Sequence, residues 1–195
     1  LVAQTETESF TLLGPQRDIF WDDRRFIYYK SGRGCGKTVS ACMKIGGDID
    51  KGIILPGARI LCMGPTYPQL KKGTLASFDH WLGDEGLGLI TGKIDGNEPE
   101  RRLVNGIVAY FRNASNPEQT RSHEVQYVWL DEPNQMRSDI IPMTNANLRQ
   151  FGGKDVHYAT ILTGTPRGKN WAYNMFVNPQ TRMDEDRLGF YHIST

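Results

Sequence analysis

The amino-acid sequence predicts an α/β fold in which helices cover both faces of a mostly parallel central sheet. Two apolar runs, at 125–130 and 158–162, lack the alternation of half-exposed strands and are typical of strands buried on both faces. Two further strands are each followed by a helical pattern, which is the alternation that forms parallel sheets. Because 195 residues suffice for one sizeable core and are too few for two ordinary domains, we expect residues 1–195 to form a single domain.

The composition narrows the possible classes of protein. Hydrophobic residues make up 38% of the chain, and no apolar run is long enough to span a bilayer. Cys35, Cys42 and Cys62 form no C-x-x-C pair and have no spaced histidines beside them, which predicts neither a zinc site nor disulfides and indicates a reducing, intracellular environment. The net charge of +1 does not indicate a nucleic-acid footprint over the whole surface. No signal-peptide pattern follows Leu1, and a chain without an initial Met is expected to be part of a longer protein.

The first part of the chain shows a strand, a loop and a helix in succession. Residues 16–20 are expected to form a short helix, and residues 26–29 a strand. The glycine-rich segment 31–36 ends that strand, and the small and apolar residues at 38–45 predict the helix that follows it. A second strand is expected at 59–63, before a glycine-proline turn. This order supports the alternating, parallel architecture.

The middle of the chain interrupts that alternation. Residues 69–82 are expected to form a helix whose apolar stripe contains Leu70, Leu75, Phe78 and Leu82. The glycine-rich stretch 83–96 is interpreted as a surface loop. Asn105-Gly106 lies between two β-prone segments, which predicts an inserted antiparallel β-hairpin near 101–113. Residues 191–195 resemble a short strand.

A glycine-rich loop directly after the first strand predicts an ATP site. Its glycines let successive backbone N–H groups turn inward, and the helix that follows adds its positive end, so that backbone dipoles hold a polyphosphate. Lys37 is expected to neutralise the β and γ oxygens, and the Thr38 hydroxyl to bind Mg²⁺. Ser31 replaces the usual first glycine, and the strand–loop–helix context favours this interpretation over an incidental surface turn. The predicted ATP-binding loop consists of Ser31, Gly32, Arg33, Gly34, Cys35, Gly36, Lys37 and Thr38.

An acid pair follows the apolar strand at 125–130. Asp131 and Glu132 stand at its carboxyl end, which is where ligands of open α/β sheets bind. Asp131 is expected to hold Mg²⁺, and Glu132 to orient and deprotonate the attacking water. A kinase needs no such water, so the pair favours hydrolysis over phosphoryl transfer. The alternative is a turn that closes a core strand, and the upstream loop favours the catalytic interpretation.

Small hydroxyl residues end the strand at 158–162 beside the same predicted crevice. Thr163, Gly164 and Thr165 are expected to lie near the γ-phosphate and to couple its loss to the rest of the protein. The alternative is a simple Gly-Thr-Pro turn. Considered by itself, the segment favours this alternative.

Two arginines and one glutamine complete the candidate site. Catalysis of phosphoryl transfer gains most from cations directed at the charge that develops in the transition state. Arg33 in the loop and Arg121 before the acidic strand are therefore candidate catalytic residues. Arg121 would act by reaching into a neighbouring subunit, and solvation at the surface is the alternative for both. The amide of Gln16 can donate and accept, so we expect it to read the adenine edge.

The order and spacing of these motifs resemble the N-terminal packaging ATPase domain of the large terminase subunit of tailed double-stranded DNA bacteriophages. The resemblance covers nearly the whole chain. It depends on the combination of motifs, since helicases share several of the single motifs. An arginine in the phosphate loop, a hairpin and a terminal Thr-Gly-Thr-Pro together are more similar to terminases. The segments that carry it are Pro15-Gln16, Gly32 to Thr38, Gly64-Pro65-Thr66-Tyr67, Asn105-Gly106, Arg121, Leu130-Asp131-Glu132 and Leu162-Thr163-Gly164-Thr165-Pro166.

This resemblance implies a three-layer P-loop NTPase fold of the RecA-like (ASCE) type, using ATP and Mg²⁺. It implies a motor that packages double-stranded viral DNA into a procapsid in the host cytoplasm, as a ring of usually five subunits docked on the portal protein and served by a small terminase subunit. We expect no membrane partner. Family members carry a C-terminal RNase H-like nuclease that nothing in this sequence matches, so we expect that domain in the full-length protein and no DNA cutting by this chain.

The resemblance also implies roles for single residues. Glu132 corresponds to the catalytic carboxylate, Arg33 to a sensor acting within its own subunit, and Arg121 to an arginine acting in trans, for which Arg101, Arg102 and Arg112 are competitors. Two other interpretations stay open from the sequence. A helicase-type translocase core would continue into a second RecA-like domain, and a nucleotide-binding scaffold would bind ATP without turnover.

Overall fold

An eight-stranded mixed sheet organises the chain, in agreement with the predicted α/β fold. The computed structural model describes residues 11–12, 14–115, 123–153 and 155–193. Across the sheet the strands lie in the order β3-β4-β5-β2-β6-β7-β1-β8. In chain order they are β1 (Phe26–Ser31), β2 (Arg59–Gly64), β3 (Ile90–Ile94), β4 (Glu100–Leu103), β5 (Val108–Asn113), β6 (Tyr127–Asp131), β7 (Ala159–Gly164) and β8 (Leu188–Ile193).

Every neighbouring pair from β5 to β8 in that order is parallel, which confirms the mostly parallel sheet. Strand β6 begins later than predicted, because Val125 makes only an isolated bridge to Leu148. Strand β7 extends beyond the predicted end and includes Thr163 and Gly164. The acidic residues and the small hydroxyl residues therefore stand at the ends of adjacent strands.

The predicted antiparallel hairpin is confirmed, and it is larger than the sequence indicates. Strands β4 and β5 pair antiparallel across a turn in which Asn105 has a φ of 57° and Gly106 a φ of 72°, as a primed turn requires. Strand β3 pairs antiparallel with β4, so the interpretation of 83–96 as a surface loop is wrong for Ile90–Ile94. Most side chains of β3 are exposed, and for that reason its sequence lacks the apolar alternation by which a strand is recognised.

Helices cover both faces of the sheet. Helices α2 and α4 pack with Tyr127 and Trp129 of β6, whereas α5 and α6 pack with Val128 and Leu130 of the same strand. In the described ranges no helix is long and apolar enough to cross a membrane. The helices are α1 (Gly14–Trp21), α2 (Lys37–Asp50), α3 (Tyr67–Gln69), α4 (Ala76–Leu82), α5 (Ile140–Asn147) and α6 (Trp171–Phe176).

Helix α2 continues to Asp50, beyond the predicted end at residue 45. The prediction failed because Gly46 and Gly47 usually weaken a helix interior. Both glycines are buried here, and a Cβ on Gly47 would overlap the ring of Phe20 in α1. Close packing of α1 against α2 therefore keeps the backbone helical here, although the helix propensity of glycine is low.

The predicted helix at 69–82 is confirmed, but its middle is not α-helical. A π-helical segment, Leu70–Leu75, connects α3 to α4. The segment lies close to the end of β2, since a Cβ on Gly64 would stand only 3.0 Å from the Leu70 Cα atom. A π-helical turn has one extra residue per hydrogen-bonded ring and is frequent at functional sites.

A charged pair is buried between α2 and the sheet. The Lys44 ammonium donates to Asp48 Oδ1 at 2.7 Å, and each side chain is only 1% exposed. The hydroxyl of Tyr127 donates to the other oxygen of Asp48 at 2.7 Å. Burial raises the pKa of Asp48, and the neighbouring Lys44 opposes that rise. The pair is compatible with the core because each charge has a close partner.

We expect Lys44→Met to lower the free energy of unfolding by about 3–5 kcal/mol, because it leaves Asp48 buried without its counter-charge. Urea denaturation followed by circular dichroism measures the change. Arg137→Met is the matched control, since Arg137 forms an exposed ion pair with Asp139 and its loss should cost less than about 1 kcal/mol. Equal small losses in the two variants would contradict the assignment of Lys44 as a core cation.

Candidate active site

The carboxyl ends of three adjacent strands meet at one edge of the sheet. Strand β1 ends at Ser31 and pairs with β7 so that Lys30 lies opposite Gly164. Strand β6 ends at Asp131, which lies opposite Thr163 of β7. The predicted phosphate loop, the acid pair and the Thr-Gly-Thr segment are thereby brought together, at the edge where open α/β sheets bind ligands.

Two glycines of the glycine-rich loop adopt a left-handed backbone conformation. Gly34 and Gly36 have φ values of 77° and 71°, in the left-handed region that favours glycine. Gly36 is the residue immediately before α2, whose 14 residues direct the positive end of the helix toward the loop. The hydroxyl of Tyr29 donates to the carbonyl of Cys35 at 2.9 Å and fixes the loop to β1. These features fit a site for an anion.

Lys37 lies inside the loop. Its side chain is buried, and its ammonium donates to the carbonyl of Ser31 at 3.1 Å and to that of Gly32 at 2.7 Å. These bonds hold the cation over the loop. A bound phosphate can replace the carbonyls as the acceptor.

Asp131 is held by two hydroxyl groups from different elements. The hydroxyl of Thr163 in β7 donates to Oδ1 at 2.8 Å, and the hydroxyl of Thr74 in the π-helical segment donates to Oδ2 at 2.9 Å. Trp129 Nε1 donates to the Thr163 oxygen at 2.9 Å, which leaves the Thr163 hydrogen free to point at Asp131. Burial raises the pKa of Asp131, and the two threonine hydrogen bonds oppose that rise.

Glu132 is held in an unusual backbone conformation. Its φ of 54° and ψ of 51° place it in the left-handed region, which non-glycine residues rarely adopt. Its carboxylate accepts from the hydroxyl of Thr165 at 2.6 Å and from the backbone N–H of Thr165 at 3.0 Å. A strained residue held by its surroundings is common at active sites, so the conformation supports a functional role.

An open cleft of about 890 Å³ lies beside the two acids. Arg33 is exposed and lines this cleft together with Asp131 and Glu132. The segment that follows β2 also lines the cleft, through Pro65, Pro68, Gln69, Lys72, Gly73 and Thr74. The cleft therefore brings an exposed arginine and two carboxylates to the same open space.

Two side chains at this edge carry oxygen atoms of the kind that bind a magnesium ion. Thr38 lies in the first turn of α2 with a hydroxyl group, and Asp131 supplies carboxylate oxygens at the cleft. Mg²⁺ prefers oxygen ligands, and it commonly takes one or two protein groups together with water and substrate phosphates. These two residues could hold such an ion alongside a nucleotide.

Gln16 lies against the phosphate loop. A Cβ on Gly36 would overlap the side-chain amide of Gln16, so α1 brings this amide to the start of α2. Its sequence-based assignment to the adenine edge stays a prediction, and so do the roles of the loop residues.

Comparison with known proteins identifies the family. A family model described as the phage terminase large subunit matches residues 23–195. The chain belongs to this family. The motifs that were assigned from the sequence lie within the matched range, except for Gln16, and no curated protein matches the chain significantly.

Solved structures of large terminases have the same fold as this terminase chain. The large terminase of a thermophilic bacteriophage matches with a TM-score of 0.71 at 14% identity, over 91% of this chain and 44% of that one. The Thermus phage P74-26 ATPase domain gives 0.62 at 17% identity, over 95% and 81%. The HK97 bacteriophage large terminase gives 0.65 at 13% identity, over 96% and 40%. The chain thus spans less than half of the first and third of these proteins.

The arginines that compete for a trans-acting role in this terminase chain differ in their surroundings. Arg101 is buried and bonded to Asp79, and Arg112 is buried and paired with Glu98. Arg102 is exposed. Arg121 lies outside the described residues, so its predicted role stays a prediction.

Sequence reasoning missed Thr74 and Gln135, which both touch the acid pair. A signal was present for Thr74, because it is a polar residue on the i, i+4 series that runs through Leu70, Phe78 and Leu82. A hydroxyl in an apolar stripe needs a partner, and Asp131 is that partner in this terminase chain.

Proposed function

We propose that this chain is the ATP-hydrolysing motor domain of a phage large terminase, which drives double-stranded viral DNA into the procapsid. The observation that carries the proposal is Glu132, strained in the left-handed region, bonded to Thr165, and lining a cleft beside a phosphate loop. Family membership supports the packaging role. The large terminase of the thermophilic bacteriophage has been solved with ADP and with ATP-γ-S, each at 16% identity to this chain, and this supports nucleotide binding.

In the proposed mechanism the chain binds the triphosphate through the loop. Backbone N–H groups around Gly34 and Gly36 donate to phosphate oxygens, and Lys37 exchanges its carbonyl partners for the β and γ oxygens. Thr38 and Asp131 would hold Mg²⁺, which would supply positive charge to neutralise the phosphates. Arg33, exposed at the cleft, stabilises the charge that develops on the transferred phosphoryl group.

Glu132 is the proposed general base. Its carboxylate accepts a proton from a water molecule as the oxygen of that water attacks the γ-phosphorus, and the bond to the β–γ bridging oxygen breaks. Glu132 then passes its proton to the phosphate or to solvent, and release of ADP and phosphate restores the free site.

The proposed coupling step begins at the same carboxylate. Thr165 donates two hydrogen bonds to Glu132, and Thr163 donates one to Asp131. When Glu132 turns to a water, Thr165 loses its acceptor, so the segment Thr163, Gly164 and Thr165 senses the state of the nucleotide. A segment that alternates between two bonded states is the usual form of such a switch.

The proposed working assembly is a ring, of five subunits when docked on the portal protein in the host cytoplasm, with the small terminase subunit and double-stranded DNA as further partners. In this ring Arg121 acts in trans, which the internal ion pairs of Arg101 and Arg112 support by engaging two of its competitors. We also propose that the nuclease domain lies outside this chain, and that the chain itself does not cut DNA.

Phosphate release by the purified chain tests this function. We expect ATP hydrolysis that requires Mg²⁺ and that rises when linear double-stranded DNA is added. If the chain binds nucleotide but does not hydrolyse it, with or without DNA, the motor interpretation is wrong and the scaffold interpretation is favoured. Stimulation by single-stranded DNA alone would favour the helicase-type translocase.

A further inference from the structure

Asp131, the proposed Mg²⁺ ligand, accepts a hydrogen bond from a residue outside the motifs that define the site. Thr74 is 1% exposed, and its hydroxyl donates to Asp131 Oδ2 at 2.9 Å. The other oxygen, Oδ1, accepts from Thr163 at 2.8 Å. One hydroxyl from the sheet and one from the π-helical segment therefore fix both oxygens of the same carboxylate.

We propose that Thr74 is a positioning residue that orients Asp131 for Mg²⁺ and that the π-helical segment exists to bring its hydroxyl to that carboxylate. This inference rests on the proposed function, because it assigns Asp131 to the metal. Thr74 touches neither substrate nor metal in this scheme, and it acts through Asp131.

The geometry of the segment explains how the hydroxyl reaches the acid. A π-helical turn adds a residue to the hydrogen-bonded ring and shifts the side chains that follow it around the helix axis. The segment Leu70–Leu75 is also drawn close to the sheet, since Gly64 at the end of β2 leaves space for Leu70. Thr74 lies in the last part of this segment, buried against the end of β6.

The same helical stretch is linked to the second acid by a longer route. Gln69, the last residue of α3, donates to Gln135 Oε1 at 3.2 Å. Gln135 in turn donates to Glu132 Oε2 at 3.5 Å. The stretch therefore contacts Asp131 directly through Thr74 and is linked to Glu132 through Gln135.

A hydroxyl at position 74 has a specific chemical consequence. Each oxygen of a buried carboxylate needs a donor, and with one donor removed the group is free to rotate about its last bond. Partners that orient a metal ligand commonly change metal affinity by 10–100-fold when they are lost. A purely structural role of Thr74 would instead affect folding, and it would weaken nucleotide binding equally with and without the metal.

The test measures nucleotide binding, without turnover, on the full chain. A fluorescent, non-hydrolysable ATP analogue is titrated at a series of Mg²⁺ concentrations and in EDTA. We expect Thr74→Val to raise the Mg²⁺ concentration for half-maximal enhancement of binding about tenfold, with the affinity in EDTA unchanged. Thr74→Ser restores the hydroxyl and should behave as the wild type.

Thr144→Val is the matched control. Thr144 is also 1% exposed, and its hydroxyl donates to the carbonyl of Ile140 in its own helix, so this variant buries the same extra methyl group away from the site. Thermal unfolding of all three variants shows whether folding is retained.

Two results would overturn the inference while the proposed function stands. In the first, Thr74→Val needs the same Mg²⁺ concentration as the wild type. In the second, it weakens binding by the same factor in EDTA and in Mg²⁺. If the wild-type chain itself shows no enhancement of nucleotide binding by Mg²⁺, the proposed function fails and the inference fails with it.

Discussion

Glu132→Gln is expected to lower kcat for ATP hydrolysis by about 10²–10⁴-fold, which is the contribution of a general base. Nucleotide affinity should stay close to that of the wild type, because the phosphate loop is untouched. Phosphate release at saturating ATP measures kcat, and binding of a fluorescent ATP analogue measures affinity. The combination of intact binding and lost turnover distinguishes a missing base from a damaged site.

The substitution is conservative for the surrounding structure. Thr165 donates to both carboxylate oxygens of Glu132, and a glutamine amide can accept one of these bonds and donate to the Thr165 hydroxyl in return. Glu124→Gln is the matched control, since Glu124 lies on the surface in an ion pair with Arg149. If Glu132→Gln kept more than half of the wild-type kcat, another group would have to be the base.

Much of the fold could be predicted because its strands are apolar without interruption. Strands β6 and β7 are buried almost throughout, so their sequences need no polar alternation. Strand β3 could not be predicted in this way. Its side chains at Thr91, Lys93 and Ile94 are exposed, and its place in the sheet depends on pairing with β4, which is a tertiary contact.

The ends of the helices show a similar division between local and tertiary causes. Gly46 and Gly47 would weaken an isolated helix, but the ring of Phe20 needs the space that Gly47 leaves. The π-helical segment Leu70–Leu75 is likewise invisible in the sequence, since no residue type encodes a π-helical turn. In both places another element of the fold determines the backbone.

The site divides in the same way. Glycines, a lysine and paired acids at strand ends carry their chemistry in the sequence, so the loop and Asp131 and Glu132 could be found from motif and order. The hydrogen bonds that hold the acids join residues far apart in the chain, as in Thr74 to Asp131 and Thr165 to Glu132. The sequence marks Thr74 as a hydroxyl in an apolar stripe and Thr165 as a crevice residue, but which acid each one bonds becomes recognisable only once the topology places β2, β6 and β7 side by side.

Lys37→Met is expected to raise the Kd for ATP by about 10- to 100-fold, because charge-assisted hydrogen bonds to phosphate contribute about 1.5–3 kcal/mol. Binding of a fluorescent ATP analogue measures the Kd. Lys93→Met, in the exposed part of β3, is the matched control and should leave the Kd unchanged. A Kd for Lys37→Met within about twofold of the wild type would remove Lys37 from the phosphate site.

The size of this effect also reports on competition within the free loop. In the structure the Lys37 ammonium already has two carbonyl acceptors, Ser31 and Gly32. ATP must displace them, so the measured loss equals the interaction with phosphate less the interaction with the carbonyls. A loss near the upper end of the range would mean that the phosphates satisfy the ammonium far better than the loop does, which is the condition for Lys37 to change partners when the nucleotide arrives.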